Sequence, residues 1–328
     1  MNSTPAARPL LWPLVPVYRL GFALRELQFH SGLKPIRRLR WPVISIGNLS
    51  TGGAGKTPLT ITLAKALTAR RLHVDVLSRG YGRRSALPLL VDPGGTAQEF
   101  GDEPLVIARE ARVPVFVAAE RYQAGTLAES EASDSSSTGV HLLDDGFQHR
   151  QLARDVDILL LSRRDLNDHL LPAGNLREAL HAAARAQVIA VPADEPEVEA
   201  EIKARGWKTQ IWRVRRCMEV PHVDGPVLAF CGIARPDQFF LGLESAGVKL
   251  AARTAFADHH NYTASDLARL ASEARAAGAA SLLTTEKDRV RLGALAAPLP
   301  IQTVPLRIEI EDEKAAIDWL MHSLRDPA

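Results

Sequence analysis

Residues 47–58, GNLSTGGAGKTP, bring glycines, a lysine and a threonine together in a pattern suited to binding phosphate. Gly55, Lys56 and Thr57 match the end of the Walker A phosphate loop, G-x-x-x-x-G-K-[ST]. Ser50 stands where that pattern has its first glycine. In such a loop the backbone amides hold phosphate oxygens, the lysine neutralises the β- and γ-phosphates, and the threonine hydroxyl can reach Mg²⁺. The segment therefore predicts a site for a nucleoside triphosphate.

The segments on either side give this loop the setting that it needs. VISIGN before it predicts a strand, and TPLTITLAKALTARR after it predicts a helix. We expect the tight bend at Gly52 and Gly53, because glycine is the residue that turns most freely. The dinucleotide pattern G-x-G-x-x-G is absent from this loop, which disfavours hydride chemistry. The predicted nucleotide contacts, of which Lys56 is also a catalytic candidate, are Ser50, Thr51, Gly52, Gly53, Ala54, Gly55, Lys56 and Thr57.

Two acidic residues follow an apolar run in VHLLDDGFQ, residues 140–148. Proteins with a phosphate loop commonly hold their metal with an aspartate at the end of a buried strand. Asp144 and Asp145 occupy that position, although a pair of loop carboxylates capping the next segment would leave the same pattern. The predicted magnesium ligands are Thr57, Asp144, Asp145 and, at the start of a predicted helix, Glu103. The sequence leaves open which aspartate is the main ligand.

The elements that must position these residues alternate along the chain from residue 43. Short β-branched or apolar runs alternate with helical stretches, which predicts a parallel sheet wrapped by helices, as in the P-loop NTPases. The pattern restarts after residue 205, and 328 residues suffice for two domains. We therefore predict an α/β protein with an N-terminal helix over 1–30, a phosphate-loop domain over 31–205 and a smaller α/β/α domain over 206–328.

Composition excludes several classes of protein. With 46% hydrophobic and 24% charged residues the chain has the balance of a soluble globular protein. Cys217 and Cys231 are too few for a zinc cluster or a disulfide framework, which favours a reducing compartment.

The N-terminal region is both basic and apolar. Residues 1–41 hold seven basic side chains against one acid, and residues 9–24 are apolar but interrupted by prolines and an arginine. This stretch is too short to span a bilayer and lacks the small-residue cleavage site of a secretory signal. Helical spacing predicts an interfacial helix on an anionic membrane, with docking onto its own domain as the alternative. The predicted apolar face is Leu11, Leu14, Tyr18 and Phe22, with Trp12 alongside.

Seven further motifs accompany the phosphate loop. The full set is GNLSTGGAGKTP (47–58), SRGYGRR (78–84), GDEP (101–104), AAERYQAG (118–125), LLDDGFQHRQLARD (142–155), PAGNLRE (172–178), FADHHNYT (256–263) and TTEKD (284–288). In order, and over nearly the whole chain, they resemble the motifs of the tetraacyldisaccharide 4'-kinases of lipid A biosynthesis. That family also has serine or threonine at the first Walker A glycine, so Ser50 fits it.

The resemblance implies an ATP-dependent kinase, peripheral or monotopic, at the cytoplasmic face of a Gram-negative inner membrane. Its reaction would transfer the γ-phosphate to the 4'-hydroxyl of tetraacyldisaccharide 1-phosphate and form lipid IVA. Two α/β/α domains would close over a cleft about a hinge. The implied cofactors are ATP and Mg²⁺, with ATP over GTP resting on the resemblance alone. The implied partners are an acylated glucosamine disaccharide lipid and an anionic membrane surface; we expect no nucleic acid and infer no protein partner.

Catalytic residues follow from the same resemblance and from the needs of the chemistry. A sugar hydroxyl is a poor nucleophile, and kinases use a carboxylate to accept its proton. Asp102 matches the family's catalytic base, although aspartate at a helix start also suits a cap. His259 is predicted to pair with Asp102 and share the proton, with His260 as the competing choice.

Other motif residues are candidates without a firm role. Arginines of the glycine-rich loop RGYGRR could hold an anionic part of ATP or of the lipid, or could form a solvated basic loop. The substrate or active-site candidates are Arg79, Arg83, Arg84, Arg121, Gln148, Glu178, His260 and Lys287.

Three competing functions remain open on the sequence. A P-loop ATPase that drives a partner protein would hydrolyse ATP without an acceptor. A nucleotide-sensing membrane adaptor would not turn over, and Asp102 would be idle. A soluble small-molecule kinase would use the catalytic residues but would not need the apolar N-terminal region.

Overall fold

Two sheets organise the protein, and helices pack on both faces of each. The computed structural model describes residues 8–132 and 139–325. The strands are β1 (Val43–Asn48), β2 (His73–Ser78), β3 (Leu89–Leu90), β4 (Val115–Val117), β5 (Gly139–Asp144), β6 (Val156–Leu160), β7 (Val188–Pro192), β8 (Gln210–Met218), β9 (Val227–Cys231), β10 (Leu250–Ala255), β11 (Ser281–Thr285), β12 (Ile301–Val304) and β13 (Leu306–Ile310). The α-helices are α1 (Val15–His30), α2 (Lys56–Ala69), α3 (Ala97–Phe100), α4 (Asp102–Ala111), α5 (Arg121–Glu131), α6 (Arg163–Leu166), α7 (Pro196–Ala204), α8 (Pro236–Ser245), α9 (Ala264–Ala276), α10 (Glu286–Leu292) and α11 (Glu313–Arg325). Short 3₁₀ helices cover Pro9–Leu14 and Leu180–Arg185.

The larger sheet has nine strands in the order β13-β8-β7-β6-β1-β5-β2-β4-β3. Its two end strands run antiparallel to their neighbours, and the other pairings are parallel. All six residues of β1 are buried, as expected for a central strand covered on both faces. The carboxyl ends of β1, β5, β2 and β4 meet at one edge, which therefore receives the phosphate loop and the Asp144–Asp145 pair.

The main hydrophobic core supports the sheet edge that carries the phosphate loop. It lies between the larger sheet and the helices α2, α4 and α11, with Leu63, Ile107 and Leu320 fully buried. The opposite face packs against α5 and α7 through Ala124 and Ile202. Burial of each large aliphatic side chain contributes about 1.5–3 kcal/mol, so the two faces hold the strands rigidly under the site.

The smaller sheet contains four parallel strands in the order β10-β9-β11-β12. It starts at Val227, because β8 still pairs with β7 of the larger sheet. After β12 the chain returns to the larger sheet as β13, which pairs with β8, and ends there as α11. The division predicted at residue 206 departs from this topology: the smaller sheet is an insertion, and residues 306–325 belong to the larger core. A strand pattern does not say which sheet a strand joins, which explains the difference.

The N-terminal helical region docks on loops of the larger sheet. The Tyr18 hydroxyl donates to the Arg177 carbonyl at 2.8 Å, and the Arg25 guanidinium donates to the Gln148 carbonyl at 2.8 Å. Phe29 is buried at the end of α1. The region is therefore attached to the segments that carry the candidate site. Residues 1–7 of the predicted N-terminal helix lie outside the described residues.

The apolar face predicted for this region is largely wrong. Leu11, Tyr18 and Phe22 are half-buried, whereas Leu14 and Trp12 are exposed as predicted. Apolar residues surround the helix, so their spacing did not reveal which face docks. Within the described residues, no helix has both the length and the hydropathy to cross a bilayer. The exposed apolar side chains of the region, here called the leucine stripe, are Leu10, Trp12, Leu14, Val17, Leu20, Leu24 and Leu27.

Candidate active site

The phosphate loop connects β1 to α2, and its opening residue is extended rather than tightly turned. Ser50 forms an antiparallel bridge with Leu176 and therefore has no need of a glycine conformation. Positive φ angles come later, at +77° for Gly52, +48° for Gly53 and +96° for Gly55. The bend thus falls at the two glycines that the sequence predicted, and the irregular serine is explained by its pairing.

Lys56, the first residue of α2, extends toward the mouth of the loop. Its Nζ lies 3.0 Å from Asn48 Oδ1 and 3.4 Å from Asp145 Oδ1. Arg177 donates to the same two side chains, at 2.8 Å to Asn48 Oδ1 and 3.0 Å to Asp145 Oδ1. Two cations therefore converge at the loop, where both could bind phosphate oxygens.

Asp144 ends β5 and Asp145 follows it, and their pKa values move in opposite directions. Burial, together with the charges of Glu103 and Asp145, raises the pKa of Asp144 to about 7. Burial acts the same way on Asp145, but Lys56 and Arg177 outweigh it and lower its pKa to about 2. One carboxylate of the pair is thus firmly ionised at neutral pH, and the other is close to its midpoint.

A magnesium ion fits this edge if it also binds phosphate and water. Thr57 is buried at the start of α2, and the Thr60 hydroxyl one turn later donates to Asp144 Oδ1 at 3.1 Å. Over residues 8–132 and 139–325, no cluster of three or more His, Cys, Asp and Glu residues could hold a metal unaided. Mg²⁺ is commonly bound by one or two carboxylates plus substrate phosphates, which is the arrangement that these residues allow.

Asp102 and His259 meet across the cleft between the two sheets. Asp102 begins α4, is 4% exposed, and its Oδ1 accepts the Glu103 amide at 2.9 Å. Its Oδ2 lies 3.1 Å from His259 Nδ1. The cap of α4 is Gly101 and Asp102 is the first helical residue, so the capping role considered for Asp102 is not found. His260 Nε2 lies 3.2 Å from Asp266 Oδ2 and does not reach Asp102.

Arg291 on α10 is a second partner of Asp102. Its Nε donates to Asp102 Oδ2 at 2.8 Å, and its Nη1 reaches the Gly232 carbonyl and Asp288. Burial alone would raise the pKa of Asp102, but the His259 hydrogen bond and the nearby cations hold it well below its usual range. The hydrogen bond with Asp102 raises the pKa of His259, although burial opposes this. The site therefore favours an ionised Asp102 beside a protonated imidazole.

Lys287 lies one turn before Arg291 on α10 and binds the acid next to Asp102. Its Nζ donates to Glu103 Oε1 at 2.5 Å. Burial would lower the pKa of Lys287, but the charges of Glu103 and Asp102 raise it. Glu103, a predicted metal ligand, is thus held by a lysine that approaches from the smaller sheet.

A group of basic side chains lies beside the same edge, after β2 and β4. Arg121 is 7% exposed, and its Nε has no hydrogen-bond partner among the described residues. Burial, with the charge of Arg79, lowers the pKa of Arg121 to about 10. The buried Nε2 of His149 also lacks a partner within that part of the chain. Its pKa is lowered to about 3 by burial and by the charges of Arg121, Arg154, Arg25 and Arg79. An anion would satisfy this group.

Gln148 and Glu178 bind neighbouring protein groups beside the site. The Gln148 Nε2 donates to the Asn48 carbonyl at 2.9 Å, which ties the segment after β5 to β1. Glu178 is buried and pairs with Arg185 at 2.8 Å. Both contacts fix neighbouring backbone.

Arg83 and Arg84 do not join the site. Arg83 Nη1 donates to the Leu87 carbonyl within its own loop at 2.8 Å. Arg84 lines a separate cavity of about 390 Å³ with Thr96 and Glu99. Of the three arginines in RGYGRR, only Arg79 perturbs the groups at the sheet edge.

Sequence reasoning missed several residues that the structure brings to the site. Asn48 and Arg177 lie inside two of the motifs, and their polar side chains beside the phosphate loop were an available signal. Arg235 and Arg291 carry no such signal, because they arrive from the smaller sheet.

Comparisons with known proteins agree with this geometry. Residues 7–325 match the model of the family described as tetraacyldisaccharide-1-P 4'-kinase, LpxK. A tetraacyldisaccharide 4'-kinase from Koribacter versatilis is 43% identical over 94% of this chain and 97% of its own. Another from Parvibaculum lavamentivorans is 39% identical over 89% and 83%. A crystal structure titled as the "apo" form of LpxK from Aquifex aeolicus in complex with ATP superposes with a TM-score of 0.76 at 31% identity, covering 97% of this chain and 99% of that one. The chain belongs to the tetraacyldisaccharide-1-P 4'-kinase family.

Proposed function

We propose that this protein transfers the γ-phosphoryl group of ATP to the 4'-hydroxyl of tetraacyldisaccharide 1-phosphate, forming lipid IVA in lipid A biosynthesis. Family membership supports the reaction, and the Aquifex aeolicus relative was solved with ATP. The observation that carries the proposal is the convergence of Lys56 with its phosphate loop and the Asp102–His259 pair at the same cleft. Phosphoryl transfer to an alcohol needs both a binding site for the phosphates of the nucleotide and a base for the acceptor hydroxyl.

Asp102 has the properties of the base. Its lowered pKa keeps the carboxylate ionised at neutral pH, and His259 beside it can share a proton. The carboxylate of Asp102 takes the proton of the 4'-hydroxyl while the 4'-oxygen bonds to the γ-phosphorus. The bond from that phosphorus to the bridging oxygen of the β-phosphate breaks, and ADP leaves with the electron pair. Lys56 neutralises the negative charge that gathers on the leaving phosphates.

Thr57, Asp144 and Asp145 are the residues proposed to hold Mg²⁺. The ion, when bound, neutralises charge on the transferred and leaving phosphates. Asp145 offers an ionised carboxylate at neutral pH. Asp144 has a pKa of about 7, so a nearby cation would ionise it fully.

The group formed by Arg79, Arg121 and His149 is proposed to bind the phosphate that the acceptor already carries. Arg121 and His149 are buried with unsatisfied nitrogen atoms, and Arg79 lies near both. Burying such groups is costly unless an anion pairs with them, and arginine binds phosphate through two parallel hydrogen bonds. A sugar phosphate meets this requirement, whereas a neutral acceptor would not.

The leucine stripe is proposed to rest on the anionic cytoplasmic face of the bacterial inner membrane, with the protein bound peripherally. Seven exposed apolar side chains along one helical region suit the headgroup boundary, and the surrounding segment is strongly basic. Because Tyr18 and Arg25 tie the helical region to the loops at Arg177 and Gln148, an acceptor lipid would reach the site from the membrane surface.

The reaction is tested by incubating the purified protein with Mg-ATP and tetraacyldisaccharide 1-phosphate in detergent. We expect a product heavier by one phosphate, formed in step with ADP. Rapid ATP hydrolysis without a phosphorylated lipid would instead favour the P-loop ATPase that drives a partner.

Membrane contact is tested with liposomes containing anionic lipid. Replacing Val17, Leu20 and Leu24 by serine should lower partitioning by about tenfold or more, since each removes buried apolar area. Leu241→Ser is the matched control, because Leu241 is as exposed but lies on α8. Equal partitioning of the triple variant and the wild type would contradict the membrane role.

A further inference from the structure

Arg235 immediately precedes α8, a helix that packs on the smaller sheet. It lies against the phosphate loop, which follows β1 of the larger sheet. Its Nη2 donates to the Gly52 carbonyl at 3.2 Å. The residue sits four positions after β9, in a loop that also contributes Gly232 to the contacts of Arg291. The first residues of the phosphate loop therefore have a cationic neighbour from across the cleft.

The two glycines of the loop make this close approach possible. A Cβ on Gly53 would lie 3.1 Å from Arg235 Cδ, and a Cβ on Gly52 would lie 3.1 Å from Ala234 Cβ. Both distances are tighter than ordinary carbon contacts, and both glycines have positive φ. The glycine pair thus serves two purposes, since it turns the loop and leaves room for the Ala234–Arg235 segment.

No carboxylate of the described residues pairs directly with Arg235, although the charges of Asp165 and Asp168 act on it from a greater distance. Among the described residues, no acidic side chain lies within ion-pair distance of its guanidinium. Burial, with the charges of Arg164 and Arg216, lowers its pKa to about 10. A half-buried guanidinium that donates to a neutral carbonyl is poorly satisfied, and a phosphate oxygen would be a much stronger acceptor.

Arg235 also borders a cavity that joins the phosphate loop to the catalytic loop. This cavity has a volume of about 230 Å³ and is lined by Thr51, Gly52, Arg235 and Asp258 among others. Asp258 immediately precedes His259, the partner of Asp102. The guanidinium is therefore near both the phosphate loop and the loop that carries the base's partner.

We propose that Arg235 is an arginine finger supplied in cis, a catalytic residue that binds the transferred phosphoryl group. This rests on the proposed kinase function. When nucleotide binds, the guanidinium exchanges the Gly52 carbonyl for an oxygen of the γ-phosphoryl group. It donates hydrogen bonds to that oxygen while the bond to the β-phosphate breaks and the bond to the acceptor oxygen forms, and it gains or loses no proton.

Arg216 offers an internal comparison. Its Nη2 donates to the Gly53 carbonyl at 3.1 Å and to the Ala54 carbonyl, but Arg216 lies on β8 of the larger sheet. It is fixed to the same sheet as the loop, so its contacts brace the loop whether the cleft is open or closed. Arg235 arrives from the smaller sheet, so its distance to the phosphates depends on how the two sheets meet.

The decisive experiment measures turnover and analogue binding on the full-length protein. Arg235→Ala should lower kcat by about 10³-fold, the range for removal of an arginine finger, while the Kd for ATP changes less than about threefold. ADP with aluminium fluoride, which mimics the transferred group, should bind the wild type more tightly than ADP alone, and Arg235→Ala should lose that gain. Millimolar guanidinium should restore part of the activity. Arg269→Met, an exposed arginine on α9, is the control and should match the wild type.

Several outcomes would contradict the proposal that Arg235 is an arginine finger. One is Arg235→Ala with kcat within about fivefold of the wild type. Another is a loss explained wholly by weaker ATP binding, which would make Arg235 a brace like Arg216. Arg235→Lys keeps a cation and guards against misfolding; because lysine lacks the planar fork, it should still fall at least about tenfold, and full activity would contradict the proposal. Aluminium fluoride binding needs no lipid, so it tests Arg235 even if the lipid is not the acceptor.

Discussion

Asp102 and Asp144 are two buried carboxylates at the same edge of the larger sheet, and their environments shift their pKa values in opposite directions. Asp102 contacts Arg291 and His259 from the smaller sheet, and its pKa is held low. Asp144 has the neutral Thr60 hydroxyl as a partner, and its pKa rises to about 7. The difference shows that burial alone does not set the charge of this edge; the charged side chains around each carboxylate do. A catalytic base should be ionised before substrate binds, whereas a metal ligand can lose its proton when the metal ion binds.

The largest effect is expected for Asp102→Asn. Loss of a general base typically costs 10²–10⁴-fold, so kcat should fall by about 10³-fold while the Kd for Mg-ATP stays near that of the wild type. Steady-state kinetics with equilibrium ATP binding checks this. Asp318→Asn, an exposed aspartate on α11, should leave both unchanged. Near-normal turnover of Asp102→Asn would reduce Asp102 to its contact at the helix start.

Asp144 should make Mg²⁺ binding depend on pH. A proton competes with the metal for this carboxylate below its pKa of about 7, so affinity should rise from pH 6 toward pH 7 and level off above pH 8. The change should approach about tenfold per pH unit on the acid side. Calorimetric titration of Mg²⁺ into the ADP complex measures it. Asp144→Asn should bind more weakly at pH 8 and lose the slope; a retained slope would assign the titration to another group.

Arg291→Met should raise the pKa of Asp102 and move the acid limb of the pH–rate profile upward. Arg291 acts on the reaction through Asp102, so it is a positioning residue. Because the pKa of Asp102 starts well below its usual range, the loss of kcat should appear toward acid pH and be small at pH 7 and above. Arg289→Met is the control, because Arg289 is exposed on the same helix. A uniform loss at every pH would mean that Arg291 supports structure alone.

The smallest effect concerns stability without ligands. Asp102 has a lowered pKa in the folded state, so its contribution is present at neutral pH and lost as pH falls below about 4. Asp144 has a raised pKa, so folding favours its protonated form and stability declines as pH rises from about 4 to 7. At pH 8, Asp102→Asn should therefore lower Tm and Asp144→Asn should raise it, each by a few degrees. Shifts of the same sign would break the comparison.

The sequence predicted the parts of this site that lie close together along the chain. The phosphate loop and the Asp144–Asp145 pair are contiguous motifs after strands, and parallel strands must present them at one edge. The pairing of His259 with Asp102 came from resemblance to a family, since 157 positions separate the two residues.

What the sequence could not predict depends on how distant segments pack. Arg235 and Arg291 are ordinary arginines in the sequence, and their contacts exist only because the smaller sheet faces the larger one. The docked face of α1 was misassigned because apolar residues lie on all sides of it. The domain boundary predicted at residue 206 departs from the topology because the sequence of a strand does not reveal which strand it pairs with.

The return of the chain to the larger sheet has a consequence for synthesis. Residues 306–325 supply β13 and the core residues Ile317 and Leu320, so the sheet that carries the phosphate loop cannot complete its packing until this segment has left the ribosome. The smaller sheet ends at Val304 and can close earlier. Domains usually fold in the order in which they emerge. The larger core is begun first but completed last, and the packing around the nucleotide site is finished only after residues 306–325 have been made.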